Sequence, residues 1–324
     1  LQDYVAHWQT FLKGLDVKPF ETWDNTQQKM SVLTDPVYSP LINILQLTKE
    51  NTELTPVVAT SLKPGKGANT AAKLQGLGPD SWQPNIVDKA FRDINNLMQI
   101  DQTGQTKFAG TMVVLSQLKN QLNQLHMSGD AAAGSYQFSK VRMTGAGADV
   151  LGQLRVNALN LPQQIQFWVN RIGEESWLLL LSESKRHLNR VWDAEVISVY
   201  NNSIAQRYPL WSNTRNDLAI DDFVLFFGPE GAQSAFIKEY LAPFIDIKRD
   251  WKSKIVDGHG ISMNFEALDQ LKRAENIRKI YFKGSSPKLK FQLKPDRMDA
   301  SVSRFELFSG DQIFKYTHGP KIKK

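Results

Sequence analysis

RYPLWSNTRNDLAIDDFVLFFGPEG, residues 207–231, is where a long helical region stops, turns, restarts and stops again. Pro209 fixes its own φ, carries no N–H and crowds Tyr208, so the helix arriving from the N-terminal side is expected to end here. Asp217 then stands as a cap for a short helix whose Leu218, Phe223, Leu225, Phe226 and Phe227 form an aromatic cluster. Gly228 and Pro229 close that helix. We read Arg207, Tyr208, Pro209, Asp222, Phe223, Phe227, Gly228, Pro229 and Gly231 as a structural hub, with Arg207 expected to pair with Asp221 or Asp222, since a buried guanidinium needs a carboxylate or carbonyl partner.

Upstream of the hub the pattern is helical. Tyr4, Trp8, Phe11, Leu12 and Leu15 recur at helical spacing up to Gly14, and Ser39 followed by Pro40 launches Leu41, Ile44, Leu45 and Leu47. Further helices are expected over residues 86–98, 106–126, 130–141 and 149–160. In the second, Phe108, Met112, Leu115, Leu118, Leu122 and Leu125 step by three and four along one face. Leu161-Pro162 restarts the pattern, which carries Phe167, Trp168, Ile172, Trp177, Leu180, Leu188 and Val196 toward Arg207, with Gly173 as a place to bend. Residues 55–80, rich in Pro, Gly, Lys, Ala and Thr without periodicity, read as a long mobile loop. Within it KPGKGANT lacks the P-loop spacing, and no strand precedes it.

After residues 232–241, a further helix, the apolar period falls from 3.6 to 2. Leu289, Phe291 and Leu293 alternate with Lys288, Lys290, Gln292 and Lys294, and residues 277–283, 301–308 and 312–317 supply more strands. Gly284, Ser285, Ser286 and Pro287 form one turn; Ser309, Gly310 and Asp311 form another. The fold class expected is α+β: an N-terminal multi-helix domain over residues 1–250, then a small antiparallel β domain over 251–324. A chain of 324 residues exceeds the roughly 250–300 at which one core stops growing, which favours that division.

Composition narrows the chemistry. Hydrophobic residues make up 41% and charged residues 22%, as in globular domains. Cysteine is absent, which removes disulfides and thiolate chemistry. The net charge of +6 is concentrated in residues 247–324, with 18 Lys and Arg against 9 Asp and Glu. No apolar run approaches the ~20 residues that span a bilayer. The chain opens on Leu1 rather than Met, so a fragment or processed product is expected.

His7, His126, His187, His259 and His318 are scattered without metal-ligand spacing, and no Gly-x-Ser-x-Gly motif occurs. Glu174-Glu175 and Asp221-Asp222 are adjacent, pointing ~100° apart on a helix, so neither pair alone can flank a scissile bond. No catalytic, cofactor or metal residue is assigned. Lysines interleaved with Phe282, Phe291, Phe305 and Tyr316 allow a nucleic-acid surface, but alternation turns most of the aromatics away from the lysines and into the core.

The order Arg-Tyr-Pro, Asp-Phe, Phe-Gly-Pro-x-Gly resembles the C-terminal region of the IcmF/TssM family of secretion-system proteins. SPLINILQLTKENTEL, the Leu-Pro opening of a Trp-rich helix, ENIRKIYF, KLKFQLKP and YTHGP match in the same order, covering the chain from about residue 39 to Pro320. The family's terminal Trp-Pro-Gly is not found before Lys324. The resemblance implies a non-enzymatic scaffold without cofactor, in the periplasm, whose parent is anchored in the inner membrane by segments this chain lacks. It implies a C-terminal β domain that docks an outer-membrane lipoprotein of the TssJ kind, here through exposed loops including Gly284–Pro287 and Ser309–Asp311. It further implies a TssL-like or DotU-like partner engaged elsewhere in the parent, a homo-oligomer in the assembled complex, and no nucleic acid. A peptidoglycan-binding module, requiring a groove of exposed tryptophans, and a glycan-processing enzyme are the alternatives.

Overall fold

A computed structural model describes residues 1–53, 86–247, 251–288, 299, 301–309 and 311–317. The loop expected over residues 55–80, the strand expected over 288–294 and the segment around His318 fall outside them, wholly or nearly so. The fold is α+β, helical first, with small antiparallel pairings toward the C-terminus.

Helices α1 (Gln2–Lys13), α2 (Trp23–Leu33) and α3 (Pro40–Thr52) open the chain. The α2 helix was not foreseen; Thr22 starts it by accepting the N–H of Asn25. Pro40 occupies the first turn of α3, while the Ser39 hydroxyl donates to the Leu33 carbonyl instead of capping. Next come α4 (Ile86–Leu97), α5 (Ala109–Met127), α6 (Ala131–Thr144) and α7 (Val150–Ala158), near the expected limits. Asp130 and Asp149 cap α6 and α7 through their side chains.

Helix α8 (Gln163–Val191) is the central element. It runs straight through Gly173 and continues with widened π turns, Trp192–Ile197 and Tyr200–Ile204. At 1.5 Å per residue the whole is about 60 Å long. Its principal neighbour is α6. Small polar side chains let the two helices approach: the Ser184 hydroxyl lies 2.9 Å from that of Ser139 and bonds the Leu180 carbonyl. Around this pair a continuous core runs from Leu12 to Phe282, with Trp177, Tyr136, Phe91 and Phe108 fully buried.

The long helix stops at Ile204, earlier than Pro209 requires. Ala205 is extended and Gln206 adopts a left-handed φ of 59°. After the excursion come α9 (Ile220–Phe227) and α10 (Ala232–Phe236), the latter prolonged by a π turn, Ile237–Leu241. Two short strands, β1 (Ile245–Asp246) and β2 (Lys252–Ser253), pair antiparallel.

The region beyond residue 260 departs from expectation. The strand foreseen over 277–283 is the end of a helix, α11 (Phe265–Tyr281), started by Asn264 accepting the N–H of Glu266. Leu268, Leu271, Ala274, Ile277 and Tyr281 keep helical spacing once the whole segment is read, and Asp269–Arg273 and Glu275–Arg278 pairs line its outer face. Only then do β3 (Arg304–Ser309) and β4 (Gln312–Thr317) form an antiparallel hairpin, with Phe305 opposite Tyr316 and Leu307 opposite Phe314.

Candidate partner-docking surface

Within residues 207–231 the Arg207 side chain stands apart from the acidic pair. The Arg207 guanidinium donates to the Asn202 carbonyl at 3.3 Å and makes no ion pair with Asp221 or Asp222. The backbone explains this. Tyr208 N–H donates to the Asn216 carbonyl and Leu218 N–H to the Tyr208 carbonyl, so residues 216–218 are held extended beside Tyr208. Asp217 therefore does not cap. Helix α9 begins after Ala219, and Asp221 and Asp222 fall in its first turn, where the helix dipole favours carboxylates. Pro209 follows a cis peptide bond, and Tyr208, Leu210 and Trp211 of the excursion are about half exposed.

The aromatic cluster is built by one face of α9. Phe223, Phe226 and Phe227 turn inward, whereas Leu225, two residues from Phe223 and so on the opposite side, is exposed. Phe223 stacks on Phe282, the first residue after α11, with ring centroids 5.6 Å apart and planes 10° from parallel; Tyr281 meets its edge at 5.4 Å. The C-terminal part of the chain is thus rooted on the hub.

Gly228 and Gly231 permit this closeness. A Cβ on Gly228 would stand 2.4 Å from the Val224 carbonyl oxygen, and one on Gly231 within 2.9 Å of three backbone atoms. Pro229 accepts the Lys238 ammonium on its carbonyl at 3.0 Å.

From Phe282 the backbone folds over a turn closed by a Phe282–Pro287 bridge and by Lys288 N–H donating to the Tyr281 carbonyl at 2.7 Å. Gly284, Ser285 and Ser286 lie exposed on it and Pro287 is half-buried, a presented loop with an aromatic foot. Ser309 and Asp311 are exposed at the hairpin end; Gly310 lies outside the described residues.

The hairpin itself is the feature sequence reasoning misjudged. Register places Phe305, Leu307, Phe314 and Tyr316 on one face and Arg304, Glu306, Lys315 and Thr317 on the other. Most aromatics turn away from the cations, as expected, although Phe308 and Ile313 share the charged face, and the aromatic face is not core: Phe305 is 51% exposed, Phe314 43% and Tyr316 39%. Phe308 and Ile313, near the turn, are also exposed. Among the described residues the ribbon has two strands and no second layer over it. On the charged face Arg304 and Lys315 converge on Glu306, and the Arg304 hydrogen bond holds its carboxyl below the usual range. Those cations are already answered, which leaves little for phosphate.

Among the described residues no set of side chains converges as a reaction centre. Glu175 is buried, accepting the N–H of Phe20 at 3.0 Å and the Arg171 guanidinium. Glu174 pairs with Arg171 and His259, and the Arg171 hydrogen bond keeps its carboxyl below the ordinary value, the opposite of a general acid. Trp23, Trp168, Trp177 and Trp251 are buried, Trp8 and Trp192 are half-buried against the core, and Trp211 stands exposed without another exposed tryptophan among the described residues, so no groove of exposed tryptophans is found among them. Among the described residues, no group of three or more acidic or histidine side chains is placed to hold a metal, and no helix is long and apolar enough to cross a membrane.

Comparison with known proteins matches this arrangement. Residues 1–53 fit the family model "IcmF-related: Intracellular multiplication and human macrophage-killing", and residues 183–286 fit that of the "Type VI secretion protein IcmF helical domain". The type VI secretion system component TssM1 of Pseudomonas aeruginosa is 26% identical over 98% of the chain. Over these segments the chain is similar to the IcmF/TssM family. It spans 30% of the length of that relative. Two solved structures share the fold: a type VI secretion system membrane core complex, with TM-score 0.69 and 18% identity over 98% of this chain and 62% of the other, and a type VI membrane complex, with TM-score 0.72 and 17% identity over 99% and 60%. The second family match takes in residues 207–231 and Phe282, where the aromatic contacts are built, and ends just before Pro287.

Proposed function

We propose that this IcmF/TssM-family chain is a structural part of a type VI secretion envelope complex and that its C-terminal hairpin is the face by which it grips a partner. The observation that carries the reading is the exposure of Phe305, Phe314 and Tyr316 side by side on one face of β3 and β4. A long helix supplies a stiff spacer and the hairpin a presented surface, with no convergent catalytic groups among the described residues; that suits a scaffold. The finer assignments follow the family. The chain lies in the periplasm, its parent held in the inner membrane, and the partner at the hairpin is an outer-membrane lipoprotein of the TssJ kind. Contacts with TssL-like or DotU-like proteins belong to regions outside this chain, and the assembled complex holds several copies. Residues 1–250 act as the body and 251–324 as the docking module, seated on the body through Phe282 and α11.

The test is titration of the full chain with the soluble domain of the cognate lipoprotein by calorimetry. Changing Phe305, Phe314 and Tyr316 together to serine should weaken binding at least tenfold and leave the helical circular dichroism unchanged. Unaltered affinity in that variant would move the docking face elsewhere, and absence of binding by the wild-type chain would remove the partner assignment.

A further inference from the structure

The C-terminal part has a second point of attachment besides Phe282, and its chemistry is different. Val256 and His259 exchange backbone hydrogen bonds, Val256 N–H to the His259 carbonyl at 2.9 Å and His259 N–H to the Val256 carbonyl at 3.1 Å. Between them Asp257 and Gly258 adopt φ of 52° and 82°, the two left-handed positions of a type I′ turn. This turn is pushed against α6, α7 and α8. The Asp257 carboxylate takes Arg142 of α6 and Arg155 of α7; the same Arg142 holds Asp149, the cap of α7. The Arg142 guanidinium lies 5.2 Å from the ring centre of Trp177, whose indole N–H donates to the Val256 carbonyl at 3.1 Å. His259 Nε2 is 2.8 Å from Glu174, which is also held by Arg171. Behind them Arg171 reaches Glu175 at 3.0 Å and Asp16 at 3.9 Å.

Two features make the turn separable from the core. Trp251 and Ile261, on either side of it, are buried, but between them Ile255 is 60% exposed and Asp257 and Gly258 face solvent. The feet of the loop are apolar and its tip is held by charge. Moreover, every charged group the tip would leave behind keeps another partner or regains water, and the one neutral loss is the Trp177 indole bond to Val256. Arg142 retains Asp149 and Trp177, Glu174 retains Arg171, and the Arg155 side chain is already 60% exposed. Breaking a buried pair is costly chiefly when it strands a charge, and none is stranded here. The small cleft beneath, about 230 Å³, is lined by Arg142, Arg155, Glu174 and Asp257, whose charges cancel, so it is a joint and not a ligand pocket.

We propose that the turn closed by Val256 and His259 is an ionic latch that opens and closes as a unit while the helical core stays folded. It is the weaker of the two holds on the C-terminal part and the first to yield. The proposal concerns the joint and stands whichever partner the hairpin takes.

Amide hydrogen exchange on the full chain tests it. In the wild type the Val256 and His259 amides should exchange faster than core amides of α6 and α8, which open only with global unfolding. Asp257→Asn keeps a residue that tolerates the left-handed turn and removes the charge. It should speed exchange at those two amides at least tenfold and change α6 and α8 less than twofold. Raising salt from 0.05 to 0.5 M should speed them several-fold in the wild type, through the exposed Arg155 pair, and much less in Asp257→Asn. The idea is overturned if the turn and the core helices exchange at one common rate, or if Asp257→Asn leaves the turn amides unchanged. Should that variant not fold, the salt series on the wild type decides alone: turn amides that do not respond, or respond only together with the core, refute the latch.

Discussion

The stack of Phe223 on Phe282 is the point where the hub and the C-terminal part meet, and a double-mutant cycle measures it. Phe282 is buried, and removing a buried phenylalanine to alanine costs about 3–5 kcal/mol; the aromatic neighbours Phe223 and Tyr281 leave room to collapse, so about 3 kcal/mol is expected. Phe223 is only half-buried, which sets Phe223→Ala nearer ~2 kcal/mol. The rings lie 5.6 Å apart and nearly parallel, a pairing worth about 0.5–1.5 kcal/mol beyond burial. The double variant should therefore lose about 4 kcal/mol, roughly 1 kcal/mol less than the sum of the two single losses. Urea unfolding followed by tryptophan fluorescence gives the three values, and amide exchange over α11 reports where the loss is felt: α11 should loosen before α6 and α8. Additivity within about 0.5 kcal/mol would mean that the rings do not share an energetic contact. A Phe282→Ala loss under about 1 kcal/mol would mean that the C-terminal part is held elsewhere, and the account of the hub would fail with it.

Gly231→Ala should cost about 1–3 kcal/mol in the same urea titration, because the added methyl meets three backbone atoms that cannot turn aside; a neutral result would show that the 228–231 corner opens easily. Arg207→Ala should cost under about 1 kcal/mol, since its one hydrogen bond is to a carbonyl at 3.3 Å and no carboxylate is left unpaired; a loss of several kcal/mol would restore the ion pair with Asp221 or Asp222. Glu174→Gln should destabilise the chain at pH 7. The Glu174 carboxyl is depressed in the folded protein, so its contribution is present above its unfolded value near 4.5 and is lost as pH falls through the lower folded value. The gap between wild type and variant should narrow as pH falls below about 4.5, and a gap that stays constant with falling pH would assign the effect to packing instead of charge.

Most of the helical body is legible in the residues because its signals are local. Pro40 at the head of α3, Asp130 and Asp149 as caps and the three-and-four stepping of Leu115, Leu118 and Leu122 each fix an element within a turn or so. Two misreadings share one cause. The seven residues 277–283 look like a strand in isolation, yet the first five of them end a helix of seventeen whose spacing is helical from Phe265 onward. Arg207 and Asp222 look like partners across a helix break, yet what lies between is a backbone pairing of Tyr208 with residues 216–218, which side-chain identities do not announce.

The hairpin was harder in a different way. Alternation in β3 and β4 tells which side chains share a face, and it did so correctly, but a period of two says nothing about whether that face is covered. Coverage is decided by a second layer, a tertiary fact. Aromatic residues at alternating positions are what a buried sheet and an uncovered docking ribbon have in common, so the sequence pattern could not separate them. The decisive quantity is the half-exposure of Phe305, Phe314 and Tyr316. An apolar face of that kind on a two-stranded ribbon loses stability in water and recovers it only when something is laid over it. That is the physical reason for placing the partner there, and not at the charged face, where Glu306 already holds Arg304 and Lys315.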